Sequence, residues 1–509
     1  MSRTAAFFTS FDSRGLNPGL SQVLNYVAAL IAGGFTTLTA SPFELWWLAP
    51  VAAGLMYAGV HNLTPGQAAF KGWLYGVALF GSGASWVYVS IHDYGYTGVP
   101  LAVFLTLLFV GCLALFFAAT FWLYRRLTRP RWAVLSFAGA WVLGEVLRTY
   151  LFTGFPWLLL GTGLVDSPLA PWAPVGGVYL LSLLVALSGA LGVELLRARW
   201  WALAPLAAIW LVPFALPSQW TTPGPEPARV ALLQGNLPQL IKWTSEGQRV
   251  AANTYSDLTR DLDDDIDLIL WPETALPMME TQARPVLERV QANLASETAL
   301  VTGIVQRNAE GRYYNSMIGV GNTQGSYQKE HLVPFGEYLP LESVLRGAID
   351  FFDLPMSSFT AGDTDQPPMQ AAGLKLGNAI CYEIIYPQLV ANRARDSNVL
   401  VTVSNDTWFG ASIGPLQHLQ MARLRALENG RYVIRATSNG ITAIIDPQGE
   451  LVTRAPQFET TVLVGDIHAM HGMTPFTRLG SWPVWLLATL MMIPSLAFFE
   501  GKKLVKHKT

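Results

Sequence analysis

Long apolar stretches make up most of the first 216 residues of the chain. About 20 consecutive apolar residues cross a bilayer as one helix. Only 13% of all residues are charged, where soluble domains average about 25%. The sequence therefore predicts a polytopic α-helical membrane protein with a water-exposed part. The predicted spans are 22–39, 44–60, 69–90, 99–124, 132–150, 175–196, 200–216 and 482–499.

Lysines and arginines in the short loops indicate the orientation of these eight spans. All of them fall on one side of the membrane if seven spans precede the polar section, and basic loops stay in the cytoplasm. The polar section is therefore expected on the opposite side. The first span is expected to be retained, because the 20 residues before it are too long and too weakly basic for a signal peptide. The basic positions are Arg3, Arg14, Lys71, Arg125, Arg126, Arg129, Arg131, Arg197, Arg199 and the closing "GKKLVKHKT".

Charge and cysteine content exclude several classes of protein. A net charge of -2 and a pI near 6.4 provide no basic face for nucleic acid. The two cysteines, Cys112 and Cys381, are far apart and show neither a disulfide framework nor zinc-ligand spacing. Without a ligand cluster or a glycine-rich phosphate loop, we expect no metal and no cofactor.

The polar section, residues 228–467, shows the pattern of an α/β domain. Short β-branched runs alternate with helical patterns, which indicates sheets covered by helices. A Pro-rich linker at 217–227 is expected to lead into it, and a connector at 468–481 to lead to the last span and a basic cytoplasmic tail at 500–509. The predicted strands are 229–236, 265–273, 298–306, 313–321, 374–383, 397–406, 431–440, 441–450 and 460–467.

The loop between the fifth and sixth spans is rich in Gly, Pro and Trp and follows Glu145 and Arg148. One interpretation is an interfacial aromatic belt with charges that reach to the membrane surface. The other is a re-entrant segment or a lateral portal beneath a site, since charges at membrane depth tend to be functional.

Candidate catalytic residues occur at the ends or in the loops of three predicted strands. Glu273 lies in "LILWPETALP", Lys329, His331 and Glu337 lie in "SYQKEHLVPFGEYLP", and Cys381 lies in "GNAICYE". A thiol attacks only as thiolate, so it needs a base or a nearby positive charge. Glu273 could take the proton, and Lys329 could stabilise a thiolate and a developing oxyanion.

Each of these residues also has a structural interpretation. Cys381 could be an inert small hydrophobe, and Glu273 could be a cap or a surface charge. Lys329 and Glu337 could form a solvated pair. His331 could be the base of a Cys–His pair or a structural histidine. The pattern alone favours an enzyme only modestly.

The segments "WPETALP", "YQKEHLVPFGE" and "NAICYE" resemble the carbon–nitrogen hydrolase, or nitrilase, superfamily. That resemblance implies an αββα sandwich with a catalytic triad of Glu273, Lys329 and Cys381. With spans on both sides of this domain, the whole chain resembles the bacterial apolipoprotein N-acyltransferase family. Further matching segments are "GFPW", "QGNLPQLIKW", "SNDTWFG" and "RATSNG".

The resemblance implies transfer of a fatty acyl chain from a phospholipid, usually phosphatidylethanolamine, to the α-amine of a diacylated lipoprotein. It places the protein in the bacterial inner membrane with its catalytic domain in the periplasm, and we expect a monomer. Glu337 would orient Lys329 or the amine, while Tyr382 and Glu383 would shape the pocket. Trp243 and Trp408 would contact substrate.

Two other functions stay open at this level. A membrane-tethered amidase could use the same triad, although a tether needs one span. A transporter with an outer binding domain would leave Cys381 structural, but the spans carry few charges and show no inverted repeat. The apolar loop 345–359 is expected either to admit lipid near the site or to pack as a surface element.

Overall fold

The computed structural model describes residues 18–339 and 358–496. It divides into two compact units. The helical unit comprises the described parts of Met1–Ser85, Val103–Ser218 and Leu479–Thr509, and the α/β unit comprises Trp86–Ala102 and the described part of Gln219–Arg478. Most of loop 345–359 and the whole tail 500–509 lie outside the described residues.

The described α-helices of five or more residues are numbered in chain order. They are α1 (Pro18–Thr39), α2 (Leu48–Tyr57), α3 (Pro65–Gly83), α4 (Val99–Leu127), α5 (Ala133–Tyr150), α6 (Ala173–Leu196), α7 (Leu203–Leu211), α8 (Ser245–Arg260), α9 (Glu280–Gln291), α10 (Pro387–Arg395), α11 (Gly414–Asn429), α12 (Pro475–Leu479) and α13 (Trp482–Leu496).

The described helices confirm a membrane protein but not clearly eight spans. Three helical segments are long and apolar enough to cross a bilayer, at Val99–Leu127, Pro130–Thr153 and Ala170–Leu196. A fourth is added if Pro65–Gly83 and Val87–Tyr94, which meet at a bend of 61°, count as one span. The predicted spans at 44–60, 200–216 and 482–499 contain the shorter helices α2, α7 and α13. The count of eight therefore stays a prediction.

The predicted span 69–90 is wrong at its C-terminal end. Helix α3 stops at Gly83, and the chain bends before Val87. The residues from Trp86 onward pack with the α/β unit: the indole nitrogen of Trp86 donates to Gln417, and the Ser90 hydroxyl donates to the carbonyl of Trp408. Hydropathy alone could not reveal this break, because the residues on both sides of it are apolar.

Lys71 does not border a solvated loop as its position in the sequence suggested. Its side chain is buried in the helical unit, where its ammonium donates to the carbonyls of Leu55 and Ala58 and to the side chain of Asn25. Carbonyls in the last turn of a helix lack intrahelical partners. Lys71 therefore caps the C-terminal end of α2.

Glu145 and Arg148 are both buried, so the interpretation of charges that reach to the membrane surface is wrong. Arg148 donates to the carbonyls of Phe155 and Trp157 at 2.8 and 2.5 Å. Glu145 accepts from the backbone amide of Leu160 at 2.7 Å. The two side chains hold the non-helical segment after α5 inside the helical unit. A portal at this place stays a prediction.

The α/β unit contains two sheets, and every predicted strand is present. One sheet has the order β13-β1-β2-β3-β4-β6 and the other β12-β11-β10-β9-β8-β7-β5. The strands are β1 (Thr222–Gln234), β2 (Leu268–Leu270), β3 (Ala299–Arg307), β4 (Tyr313–Gly321), β5 (Thr323–Gln324), β6 (Ser326–Gln328), β7 (Met369–Ala371), β8 (Leu374–Ile380), β9 (Val399–Ser404), β10 (Val433–Thr437), β11 (Ala443–Ile445), β12 (Leu451–Arg454) and β13 (Thr461–His471).

Alternating side chains of β1 divide between two apolar cores. Val230 and Leu232 belong to a core that includes residues of both sheets, such as Leu376 of β8. Ala231 and Leu233 belong to a second core with residues of α8 and α9. Successive side chains of a strand point to opposite faces. Strand β1 is apolar on both faces because one face packs against the second sheet and the other packs against helices. This layering of helices and two sheets confirms the predicted nitrilase-like α/β fold.

Two boundaries differ from the sequence prediction. Strand β1 begins at Thr222, inside the predicted linker 217–227, and pairs with β13 as far as His471. Strand β2 pairs with β1 only from Val230 onward, so among the described residues the proline-containing first part of β1 has a free edge. Proline is tolerated at such an edge because its nitrogen cannot donate a hydrogen bond and no neighbouring strand requires one there. Strand β8 ends at Ile380, so Cys381 lies beyond the strand rather than within it.

Candidate active site

The predicted triad comes from three separate strand ends. Glu273 follows β2, Lys329 follows β6 and Cys381 follows β8. The Lys329 ammonium lies 3.8 Å from Glu273 Oε1, and the charges of both residues act on the Cys381 thiol. The structure therefore brings the three predicted residues together, although they are up to 108 positions apart in the sequence.

The turn that carries Glu273 needs a glycine on the neighbouring strand. Thr274 has a φ of +49°, and a Cβ on Gly303 of β3 would lie 2.6 Å from the Glu273 Cα. Glu273 itself is buried. Its Oε1 accepts from the side-chain amide of Asn315 at 2.7 Å, and its Oε2 accepts from the backbone amide of Asn405 at 2.8 Å. These donors fix the carboxylate and leave it no freedom to turn towards solvent.

Lys329 and Glu337 form a buried ion pair, so the interpretation of a solvated pair is wrong. The ammonium lies 2.9 Å from Glu337 and is 1% exposed. Burial lowers the pKa of Lys329, but the charges of Glu337 and Glu273 outweigh burial and raise it above its ordinary value. Lys329 is thus a permanent cation, suited to hold a negative charge and unsuited to act as a base.

Asn315 is a site residue that the sequence analysis missed. Its Nδ2 donates to Glu273 and to Glu337, at 2.7 Å in both cases. It therefore bridges two carboxylates that also share the Lys329 ammonium. The available signal was a single amide within the otherwise apolar strand "YYNSMIGVG", since buried polar groups require hydrogen-bond partners.

Cys381 occupies a strained turn directly after β8. Its φ is +53°, a left-handed conformation that a non-glycine residue adopts at a cost of about 1–3 kcal/mol. The side chain is partly exposed, yet the surrounding protein desolvates it. Burial, followed by the charge of Glu273, raises the pKa of the thiol above its ordinary value, and Lys329 only partly opposes them. The thiol is therefore protonated near neutral pH.

Glu383 is buried and joins two loops of the site. It accepts hydrogen bonds from the backbone amides of Glu330, His331 and Ile380 and from the Tyr327 hydroxyl, at 2.6 to 3.0 Å. These bonds tie the segment after Lys329 to the end of β8. The sequence predicted that Glu383 shapes the pocket. In the structure its hydrogen bonds connect these two segments of the site.

Tyr382 and Tyr386, which follow Cys381 in the chain, pack with His331. The His331 ring lies 3.9 Å from the Tyr386 ring, and the Tyr382 ring meets Tyr386 edge-on at 5.3 Å. This packing favours the structural interpretation of His331 over a role as catalytic base.

The two predicted tryptophans occupy different surroundings. Trp243 packs against a small apolar cluster of Val305, Leu332 and Phe359. Trp408 lies in the loop after β9, and its ring meets Tyr94 at 5.9 Å. No described contact joins either indole to the triad, so their substrate contacts remain predictions.

Comparison with known proteins identifies the same family over most of the chain. Residues 32–191 match the model of the apolipoprotein N-acyltransferase N-terminal domain, and residues 229–473 match that of carbon-nitrogen hydrolase. An apolipoprotein N-acyltransferase of Azotobacter vinelandii is 46% identical over 91% of this chain and 93% of its own length. One of Pseudomonas syringae is also 46% identical, over 91% and 94%. The chain belongs to the apolipoprotein N-acyltransferase family.

A solved structure, that of the C. elegans NitFhit protein, also matches. It is 17% identical, covers 48% of this chain and 61% of its own, and has a TM-score of 0.36. The similarity is too low to add to the argument for the fold.

A first prediction for this family member concerns the ionisation of its nucleophile. In a Cys112→Ser background, which removes the exposed second thiol, alkylation of Cys381 by iodoacetamide is expected to keep accelerating from about pH 7 to about pH 9.5. A thiol with the ordinary pKa of about 8.5 would level off within that range. The raised pKa of Cys381 means that its thiolate fraction still grows at the upper end. A plateau below pH 8 would indicate a preformed thiolate and contradict this account.

A second prediction tests the glycine beneath the catalytic carboxylate. Gly303→Ala is expected to reduce the turnover number by about 10²-fold, because misplacing a reacting group by about 1 Å has an effect of that order. Gly66→Ala is the matched control, since nothing lies within 4 Å of its added Cβ. Equal activity of the two variants would show that the Glu273 turn tolerates the methyl group.

Proposed function

We propose that the protein transfers a fatty acyl chain from a phospholipid to the α-amine of the N-terminal diacylglyceryl-cysteine of a lipoprotein. The observation that carries the proposal is the grouping of Glu273, Lys329 and Cys381 in a carbon-nitrogen hydrolase domain, in a chain that also has helices long and apolar enough to cross a membrane. The printed name of the relatives supports the lipoprotein as acceptor.

In the first half-reaction, the Cys381 thiol attacks the carbonyl carbon of the sn-1 ester. Because the resting thiol is protonated, its proton passes to Glu273 as the carbon–sulfur bond forms. Lys329 stabilises the oxyanion of the tetrahedral intermediate. The carbon–oxygen bond then breaks, Glu273 returns the proton to the departing lysophospholipid, and a thioester remains on Cys381.

In the second half-reaction, the α-amine of the lipoprotein attacks the thioester carbonyl. Glu273 accepts a proton from the amine, the carbon–sulfur bond breaks, and Glu273 passes that proton to the departing Cys381 thiolate, which restores the thiol and the carboxylate. The products are an amide and the free enzyme, so donor and acceptor react in a ping-pong sequence. Neither half-reaction requires a metal or a cofactor.

Other side chains would support this chemistry. Glu337 would keep Lys329 charged and in place through the ion pair of 2.9 Å. Tyr382 and Glu383 would shape the pocket beside the nucleophile, and Trp243 and Trp408 would contact the acyl chain or the acceptor.

Both proposed substrates are anchored in a membrane, which explains why a hydrolase-type domain would carry several spans. We place the protein in the bacterial inner membrane with eight spans, the catalytic domain in the periplasm and a single chain as the active form. Phosphatidylethanolamine is the expected donor. The basic loops support this orientation, because positively charged loops stay cytoplasmic.

A two-substrate assay tests the proposal. Purified enzyme is mixed with phosphatidylethanolamine labelled in its sn-1 chain and with a diacylated lipopeptide, and the mass of the lipopeptide is followed. We expect a labelled amide with wild type and none with Cys381→Ala or with an acceptor acetylated on its α-amine. Release of free fatty acid without amide would indicate a hydrolase instead, and transfer by Cys381→Ala would exclude the proposed nucleophile.

A further inference from the structure

A buried polar cluster lies directly behind the nucleophile, and the proposed reaction does not use it. It consists of His418 of α11, Asp406 after β9, Arg435 of β10 and Ser404 at the end of β9. Each of the four side chains is at most 1% exposed. Three ionisable groups this deeply buried require a reason, because burying a charge is costly unless it is paired.

The cluster contacts the nucleophile through its main chain. His418 Nε2 lies 3.1 Å from the carbonyl oxygen of Cys381. This carbonyl belongs to the residue whose φ is +53°. The Ser404 hydroxyl, which donates to Asp406 Oδ1 at 2.5 Å, also faces the Cys381 thiol. The cluster thus reaches both the backbone and the sulfur of the same residue.

The remaining contacts determine which imidazole nitrogen carries the proton. Arg435 Nη2 donates to Asp406 Oδ2 at 2.5 Å and lies 3.1 Å from His418 Nδ1, while Nδ1 lies 3.3 Å from Asp406 Oδ1. Burial and the charge of Arg435 lower the pKa of His418, so the ring is neutral. With an arginine donor at Nδ1, the single ring proton is on Nε2 and points to the Cys381 carbonyl.

We propose that His418 is a positioning residue that holds Cys381 in its left-handed conformation, with Asp406 and Arg435 fixing the imidazole tautomer. In the left-handed conformation, the Cys381 carbonyl accepts a hydrogen bond from His418 Nε2. A relaxed turn would move this carbonyl and lose the bond, so the bond favours the strained conformation. Gly440 makes this arrangement possible, because a Cβ there would lie 2.3 Å from Asp406 Oδ2. This role rests on the proposed function, since it serves attack by Cys381.

The test compares His418→Ala, His418→Gln and Leu419→Ala. Leu419 is the matched control, a buried neighbour on the same helix. His418→Ala is expected to slow single-turnover formation of the acyl-enzyme by about 10²-fold, the effect of misplacing a reacting group, without a comparable change in KM for the phospholipid. His418→Gln, whose amide can donate to the same carbonyl, should recover most of the rate. An unchanged rate in His418→Ala, or an equal loss in folded Leu419→Ala, would overturn the proposal.

Two further measurements keep the outcome clear. Gly440→Ala displaces Asp406 but keeps the His418 side chain, and it is also expected to slow acylation. This variant tests the proposal even if His418→Ala does not fold. Alkylation of Cys381 by iodoacetamide does not depend on acyl transfer. It should be faster in His418→Ala than in wild type, because the released turn exposes the sulfur. If wild type forms no acyl-enzyme, the proposed function fails, while unaltered alkylation in both His418→Ala and Gly440→Ala would reject the positioning role.

Discussion

Glu273→Gln is expected to slow acyl-enzyme formation by about 10²–10⁴-fold, the usual contribution of a general base. The substitution keeps the shape of the side chain but removes the proton acceptor. Burial alone still raises the pKa of the Cys381 thiol in this variant, so without the base the thiol stays largely protonated near neutral pH. Single-turnover acylation by labelled phospholipid measures the effect.

The pH dependence of that variant separates a base from a structural support. Without Glu273, acylation should accelerate roughly tenfold per pH unit above neutrality, because hydroxide must generate the thiolate and the thiol pKa is raised. Wild type should depend less steeply on pH. Glu246→Gln is the control, since Glu246 is exposed and its carboxylate pairs with its helix neighbour Arg249. A variant rate that stays low and flat with pH would argue against the assignment of Glu273.

Lys329→Met is expected to reduce both stability and activity. Removing one partner of a buried ion pair typically costs about 3–5 kcal/mol, because the other charge remains buried and unpaired. Here Glu337 and Glu273 would face each other with only Asn315 between them. Loss of the oxyanion donor should also reduce the acylation rate by about 10²–10³-fold. Thermal unfolding and single-turnover acylation measure the two effects.

The double variant Lys329→Met/Glu337→Gln distinguishes the two roles of the lysine. It removes the unpaired carboxylate at 2.9 Å, so most of the lost stability should return. Activity should stay as low as in the single variant, since the double variant also lacks the Lys329 ammonium that acts on the thiol. Recovery of activity together with stability would show that Lys329 serves the fold and not the reaction.

The sequence was sufficient to predict the α/β fold and to single out Glu273, Lys329 and Cys381, which the structure brings together. Glu273 and Cys381 each follow an apolar strand, Lys329 follows the short strand Ser326–Gln328, and strand ends are where open sheets place their reactive groups. Asn315 and His418 were not predicted because each lies within a strand or helix whose pattern is otherwise structural. Only the three-dimensional contact with a carboxylate or a carbonyl reveals their roles.

The membrane part was less predictable, for a physical reason. Hydropathy reports that a segment is apolar but not where its helix breaks. The break after Gly83 and the inward position of Lys71 depend on hydrogen bonds to distant residues, such as those from Lys71 to Leu55 and Ala58. A Lys beside a predicted loop gives the same sequence signal whether it is solvated or capping a neighbouring helix.

The central claim is that Cys381 carries the acyl chain as a thioester. The most direct test incubates the enzyme with acyl-labelled phospholipid and no acceptor, then digests it and examines the peptide that contains Cys381. The account predicts a label on that peptide that hydroxylamine removes and that passes to a diacylated lipopeptide when one is added. Equal labelling of Cys381→Ala, or a label that the lipopeptide cannot take up, would contradict it.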